Sequence, residues 1–249
     1  MFVKKSFFIE SAHDITYAAE LLLSGSILLL KCGGAYAFFL NPNTEDLAVK
    51  LDRLKNRESN QYFSLACSYN YTVGIADHER INPDFYDIVK LLQGKAMFRF
   101  PLNTKNSVPF PYNQEECSIQ CYNFLPLQAH NNVFRMELER LGCPFTLVTS
   151  ANLHGNPPCT SFDDAEELTE ILNEKAHSLG MDDVSFTAVY FPSVNGEFNY
   201  KGSFPIINFS NNEVVEVVRL INKDMAFTKD FFTKELKNIS LKTSIAFPQ

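Results

Sequence analysis

Residues 145–159 read FTLVTSANLHGNPPC. An apolar run from Phe145 to Val148 stops in Thr149, Ser150, Ala151 and Asn152, with a glycine and two prolines close behind. The run has the length of a short buried strand, and Gly155, Pro157 and Pro158 end regular structure after it. Two hydroxyls, an amide and little bulk are left at the strand's end. Alone, that is a turn. At the carboxyl end of a strand in an open α/β sheet it is also where ligands bind, because loops there present backbone amides and small side chains.

The flanking sequence supports the α/β context. Upstream, helix 127–141 and Gly142 lead into strand 145–149, and strand 117–122 precedes them; downstream, Ser161 and the acids Asp164 to Glu167 open a helix that ends near Gly180. The amino-terminal part repeats the alternation. Asp14 caps a helix with Ala18, Leu21 and Leu22 on one face, Gly25 ends it, and SILLL (26–30) reads as a buried strand. After KCGGAYA (31–37), Asn43 and Thr44 start a second helix, with Glu45 and Asp46 in its first turn and Leu47, Leu51 and Leu54 on its apolar face. YFSLACS (62–68), a helix from Pro83 to Leu92 and KAMFRF (95–100) follow, then a Pro- and Asn-rich loop over 101–116. Beyond 184 the pattern changes to strands at 184–191, 203–209 and 213–220 joined by Asn-rich turns, with a terminal helix over 224–240. Alternating helices and strands followed by hairpins predict an α/β fold with a mixed sheet.

Bulk properties narrow the function. A chain of 249 residues, 45% hydrophobic and 20% charged, is long enough for a substantial core and is not a disordered composition. Its formal charge of −7 provides no net attraction to nucleic acid or anionic membrane, so RNA binding would need a local basic patch. The six cysteines, at 32, 67, 117, 121, 143 and 159, include no C-x-x-C pair and mostly lie in apolar runs. They read as reduced, structural thiols of a cytoplasmic protein. LLLSGSILLL (21–30) is split by Ser24, Gly25 and Ser26 and is too short to cross a bilayer; it reads as helix end, turn and buried strand.

Several residues have a bland reading when taken singly. Gly33-Gly34 is a turn and not a P-loop, since the G-x-x-x-x-G-K-[ST] spacing is absent. Lys55 and Arg57, just past a helix end, read as a solvated terminus that complements the helix carbonyls. His154 reads as an exposed loop residue without a partner at metal or dyad spacing.

In combination they carry a resemblance. Lys55 and Arg57 match a K-x-R motif, Gly94 the glycine of P-G-P, and Pro126 a downstream proline; Thr149, Ser150, Ala151, Asn152 and Gly155 match T-S-A-N-x-x-G, and Arg219 a late arginine. In this order and spacing the chain resembles the YrdC-like family, the threonylcarbamoyl-AMP synthases and their relatives, over roughly residues 16–222. The resemblance implies an α/β fold with a twisted mixed parallel/antiparallel sheet and flanking helices around a central cavity. It implies ATP as substrate or ligand, with Mg²⁺ bridging phosphate oxygens, and threonine and bicarbonate as co-substrates for threonylcarbamoyl-AMP, which feeds modification of tRNA adenosine 37. It places Lys55, Arg57, Thr149, Ser150, Asn152 and Arg219 on the nucleotide and its phosphates, and leaves 223–249 as a helical extension.

The chain departs from the pattern on the substrate side. Lys31, Cys32, Gly33, Gly34, Ala35, Tyr36 and Ala37 stand where the family has Pro-Thr-Asp/Glu-x-x-Tyr/Phe-Gly. Cys121 aligns with the arginine of V-R-x-P, Met97 with the threonine of P-G-P-x-T, and His154 with a serine. The substrate-side candidates are therefore Lys31, Cys32, Tyr36 and Cys121, and no catalytic residue is assigned. Two readings stand: a divergent synthase, or a YrdC-like pseudoenzyme that binds a nucleotide or RNA without making the product.

Overall fold

The computed structural model describes residues 6–32, 34–44, 46–57, 63–103, 118–123, 129–191, 204–219, 229–236 and 239–247. The chain opens with β1 (Ser6–Phe8), α1 (Ala12–Leu23), β2 (Ile27–Cys32), β3 (Ala35–Leu40) and α2 (Leu47–Leu54). Next come β4 (Ser64–Cys67), α3 (Tyr69–Ile75), α4 (Phe85–Leu91), β5 (Met97–Pro101) and β6 (Ser118–Asn123). They are followed by α5 (Ala129–Arg140), β7 (Phe145–Ser150), α6 (Phe162–Ser178) and β8 (Phe186–Tyr190). The last group is β9 (Ile206–Asn208), β10 (Val214–Arg219), α7 (Lys229–Glu235) and β11 (Ser244–Ala246). These elements form an α/β protein with mixed strand pairing, as the sequence predicts.

Two compact units divide the chain, Met1–Phe63 with Leu127–Gly202 and Ser64–Pro126 with Ser203–Gln249. In the first, the strands run in the order β1-β8-β2-β3-β7. β1, β8 and β2 are mutually parallel, and β3 is antiparallel to both β2 and β7. Leu28, Leu29, Phe38, Phe39, Ala188 and Val189 are buried in this sheet. The helix α6 is fixed at its start by a reciprocal capping box between Ser161 and Asp164, and α1 by one between Ser11 and Asp14. Asp14 thus serves α1 as the third helical residue, and Ser11 takes the cap the sequence had given to Asp14.

In the second unit the order is β4-β6-β5-β9-β10-β11. β4–β6, β5–β9 and β10–β11 are parallel pairs, and β5–β6 and β9–β10 antiparallel ones. One face of this sheet carries Phe98, Phe100, Ile119, Cys121, Ile207 and Phe209, all buried. Phe85 of α4 packs against it, 5.0 Å from the Phe100 ring and 5.1 Å from the Phe209 ring.

Besides β1 and α3, which the sequence reading did not include, three elements differ from it. In KCGGAYA, Lys31 and Cys32 end β2, and Ala35, Tyr36 and Ala37 open β3, which pairs back on β2. The helix expected from Asn43 begins only at Leu47, after Asp46 has taken a left-handed φ of 57°. Near the carboxyl end the described part of the expected helix is α7, and β11 follows it, a strand the sequence reading did not include. The β11 segment is held by Asp84, 1% exposed, which accepts the Lys242 and Thr243 amides at 2.9 Å each and the Thr243 hydroxyl at 2.6 Å. The Asn195-Gly196 turn and most of the 101–116 loop lie outside the described residues. Among the described residues no helix is long and apolar enough to cross a membrane, and Cys32, Cys67, Cys121, Cys143 and Cys159 are free thiols.

Candidate functional site

The site begins with the way α2 stops. The Asn56 amide donates to the Arg53 carbonyl at 3.2 Å and the Arg57 amide to the Asp52 carbonyl at 2.8 Å, the two bonds of a Schellman turn. Its left-handed residue is Asn56, at φ 55°, a conformation that asparagine tolerates better than other residues with a Cβ. Lys175 of α6 completes the end, with Nζ donating to the Leu54 carbonyl at 2.7 Å and to Asn56 Oδ1 at 2.9 Å. The turn reverses the chain within two residues of Lys55, and both cations point inward.

Neither cation is the solvated helix terminus that charge logic alone predicts. Lys55 is 3% exposed, and its Nζ donates to the Ser150 carbonyl at 2.6 Å and to Asn152 Oδ1 at 3.2 Å. It also stands over the Phe38 ring at 5.1 Å. The Arg57 side chain, 6% exposed, donates from NH1 to Thr149 Oγ1 at 3.0 Å and lies over the Phe63 ring at 5.0 Å. The two halves of the sequence pattern, K-x-R and T-S-A-N, therefore meet side chain to loop.

The loop itself is tied to β3. The Ala151 amide donates to the Tyr36 carbonyl at 3.0 Å, the Tyr36 amide to the Cys159 carbonyl at 2.8 Å, and the Cys159 amide to the Ala151 carbonyl at 2.9 Å. Within the loop, Ser150 Oγ donates to Asn152 Oδ1 at 2.7 Å, and Asn152 Nδ2 donates to the Asn156 carbonyl at 2.6 Å. Gly155, at φ 85°, supplies the left-handed turn. Ser150 is exposed, while Thr149 and Asn152 are half-buried. His154 is exposed, as expected, and only its backbone takes part, donating to the Lys55 carbonyl at 3.0 Å.

Asp52 is the residue the sequence reading missed. Its Oδ1 is buried 3.4 Å from Arg57 NH1, an ion pair without a hydrogen bond. Burial pushes the Asp52 carboxyl above the usual carboxylate range, against the pull of Arg57 and Lys55. Burial pushes Lys55 down to about 7; the Arg57 charge adds to the shift and Asp52 opposes it. The Arg57 guanidinium is lowered by burial and held up by Asp52. One carboxylate thus stands against two buried cationic side chains, and an added anion would be met by one strong charge and one amine ready to take a proton. The spacing D-x-x-K-x-R in LDRLKNR is the signal that could have found Asp52.

The other candidates fall in two groups. Lys31 and Tyr36 are directly opposite one another in the β2–β3 hairpin, Lys31 half-buried and Tyr36 buried, with the Tyr36 ring 6.5 Å from Phe162. Burial raises the Tyr36 phenol well above its ordinary value. Cys32 is buried on the opposite face of β2 from Lys31. In the second unit, Cys121 is fully buried, paired in register with Phe98, and burial together with Cys67 holds its thiol well above the ordinary range. Met97 pairs with Tyr122, one residue on, so Met97 and Cys121 face opposite sides of the sheet and cannot serve one site. The backbone of Arg219 ends β10 opposite Ile206, and its side chain lies outside the described residues.

Comparison of the whole chain with known proteins gives a clear answer on architecture. Neither a protein-family model nor a curated protein matches the sequence. Among solved structures, E. coli YciO superposes with a TM-score of 0.61 at 14% identity, over 87% of this chain and 95% of that one. P. abyssi Sua5 complexed with L-threonine gives 0.65 at 12% identity, over 96% of this chain. The chain has the YrdC-like fold. Full-length HypF in its phosphate- and nucleotide-bound form shares it at a TM-score of 0.57 and 15% identity, over 82% of this chain. The YrdC-like chain described here spans nearly all of YciO but 61% of the length of that Sua5 and 28% of HypF.

Proposed function

We propose that this YrdC-like protein binds ATP, with its phosphates at the junction of Lys55, Arg57, Thr149, Ser150 and Asn152. The observation that carries the reading is the contact of Lys55 Nζ with Ser150 and Asn152 beside that of Arg57 with Thr149. Arg57 offers a planar fork to phosphate oxygens and Lys55 a point charge, and Ser150 adds an exposed hydroxyl. A solved relative of the same fold, HypF, was captured with phosphate and nucleotide, and another, Sua5, with L-threonine. Mg²⁺ would accompany the triphosphate, bridging its phosphate oxygens.

On this reading the chain is a divergent relative of the threonylcarbamoyl-AMP synthases, with threonine and bicarbonate as the co-substrates of an active enzyme. A second reading, a binding module without the chemistry, is favoured by Cys121. A fully buried thiol cannot supply the charge of an arginine at that position. One assay separates the two. Purified protein with ATP, threonine, bicarbonate and Mg²⁺ is examined by mass spectrometry for threonylcarbamoyl-AMP and pyrophosphate. Product at the rate of an active relative supports the synthase; ATP binding without product leaves the binding module.

A further inference from the structure

We infer that Ser64, Gln120 and Arg99 form an oxyanion-binding site in the second unit, taking a carboxylate or phosphate group. The sheet register carries the argument. Leu65 pairs with Cys121, which sets Ser64 beside Gln120; Gln120 pairs with Arg99, Arg99 with Asn208, and Asn208 with Glu216. Residues directly opposite one another share a face, so five polar side chains form one row across β4, β6, β5, β9 and β10. The other face is the phenylalanine-rich core around Phe85.

A solvated sheet face would account for polar residues, but not for their burial. Ser64 is 4% exposed and Gln120 7% exposed. The hydrogen bonds run in one direction along the row. Arg99 NH2 donates to Gln120 Oε1 at 3.1 Å, and Gln120 Nε2 donates to Ser64 Oγ at 2.7 Å. The chain then ends on a thioether, with the Ser64 hydroxyl 3.5 Å and Gln120 Nε2 3.3 Å from Met97 Sδ. Sulfur is a weak acceptor, so two buried donors converge where little is returned. An oxyanion oxygen that displaced the Met97 thioether, on a flexible side chain, would take both donors, with the Arg99 guanidinium in the same row, as charge-assisted bonds roughly twice as strong as neutral ones. Glu216 does not oppose this. It lies two strands from Arg99 and accepts from Asn208 Nδ2 at 3.0 Å. The site uses no residue of the Lys55 junction and stands or falls independently of ATP binding there.

The test is residue-resolved nuclear magnetic resonance on the ¹⁵N-labelled full chain, titrated with sodium acetate and with inorganic phosphate against sodium chloride of equal ionic strength. The expected result is a saturable shift of the Arg99 Nε and Gln120 Nε2 signals with at least one oxyanion and none with chloride. Response to acetate alone assigns a carboxylate ligand, and response to phosphate alone a phosphate. Arg99→Lys, which keeps the charge and loses the fork, should weaken that binding by about 10-fold or more. If that variant does not fold, Gln120→Leu takes its place with the same expected loss. Signals unmoved by both anions, or a folded variant that binds as the wild type does, would overturn the site and leave the row as structure only.

Discussion

Lys55 Nζ lies 2.6 Å from the main-chain carbonyl of Ser150, 95 residues further along the chain, and Lys55 is 3% exposed. That pairing makes the end of α2 and the end of β7 one unit of chemistry, and it sets what the protein does as pH changes. Folding lowers Lys55 from the ordinary lysine value of 10.5 to about 7. Between those values the unfolded chain binds a proton that the folded chain does not, so stability rises with pH through this window and is lost as pH falls through it. Urea denaturation at about pH 7.5 and about pH 9.5 should show the wild type gaining about 1–3 kcal/mol more than Lys55→Met over that interval. Equal gains would mean that Lys55 is not held in its neutral form.

Asn56 should tolerate glycine but not a β-branched residue. Its φ of 55° is the left-handed position of the Schellman turn, and its Oδ1 accepts from Lys175 at 2.9 Å. Asn56→Val is expected to cost about 1–2 kcal/mol in urea denaturation, and Asn56→Gly a smaller amount from the lost Lys175 bond. Because the turn aims Arg57, Asn56→Val should also weaken ATP binding.

Asp52 competes with a bound anion for Arg57. Replacing it by Asn removes the carboxylate 3.4 Å from the guanidinium and leaves the buried Arg57 charge without its countercharge. Asp52→Asn should therefore lower stability by about 3–5 kcal/mol, the usual cost of breaking a buried ion pair, and tighten ATP binding in the fraction that remains folded. Denaturation midpoints and ATP affinity are read on the same samples; loss of stability with weaker binding would contradict the competing role.

Cys121 and Gln120 should respond differently to arginine. Cys121 is fully buried and faces Phe98, so Cys121→Arg inserts an unpaired charge into the apolar core, at a cost of several kcal/mol. Gln120→Arg points to the side where Arg99, Met97 and Ser64 lie, and should cost less. Denaturation of the two variants checks the order, and a reversed order would mean that the β5–β6 register is displaced by one residue.

Much of this was legible in the sequence, and the exceptions have physical causes. TSAN at the end of β7 and the two cations after α2 stand out because small polar residues after an apolar run, and charges after a helix end, are local patterns. Their burial was not legible, since it depends on a left-handed Asn56 and on Lys175 arriving from another helix. The start of β3 at Ala35 was not legible, because a short strand resuming directly after a glycine pair carries little periodicity of its own. Cys121 is a substrate-side candidate by its place along aligned motifs, whereas side-chain direction in a strand reverses at every residue and only the register of β5 against β6 fixes which face it takes.

The most direct test of the ATP assignment is calorimetric titration of ATP into the full chain at about pH 8, in two buffers of different ionisation enthalpy, with the wild type and Arg57→Ala. A triphosphate at this junction favours the charged form of Lys55, whose proton is mostly absent above about 7, so binding should take up as much as one proton. Loss of a charge-assisted bond in Arg57→Ala should weaken binding by about 10- to 100-fold. No ATP binding by the wild type, or the same affinity in Arg57→Ala, would contradict the account.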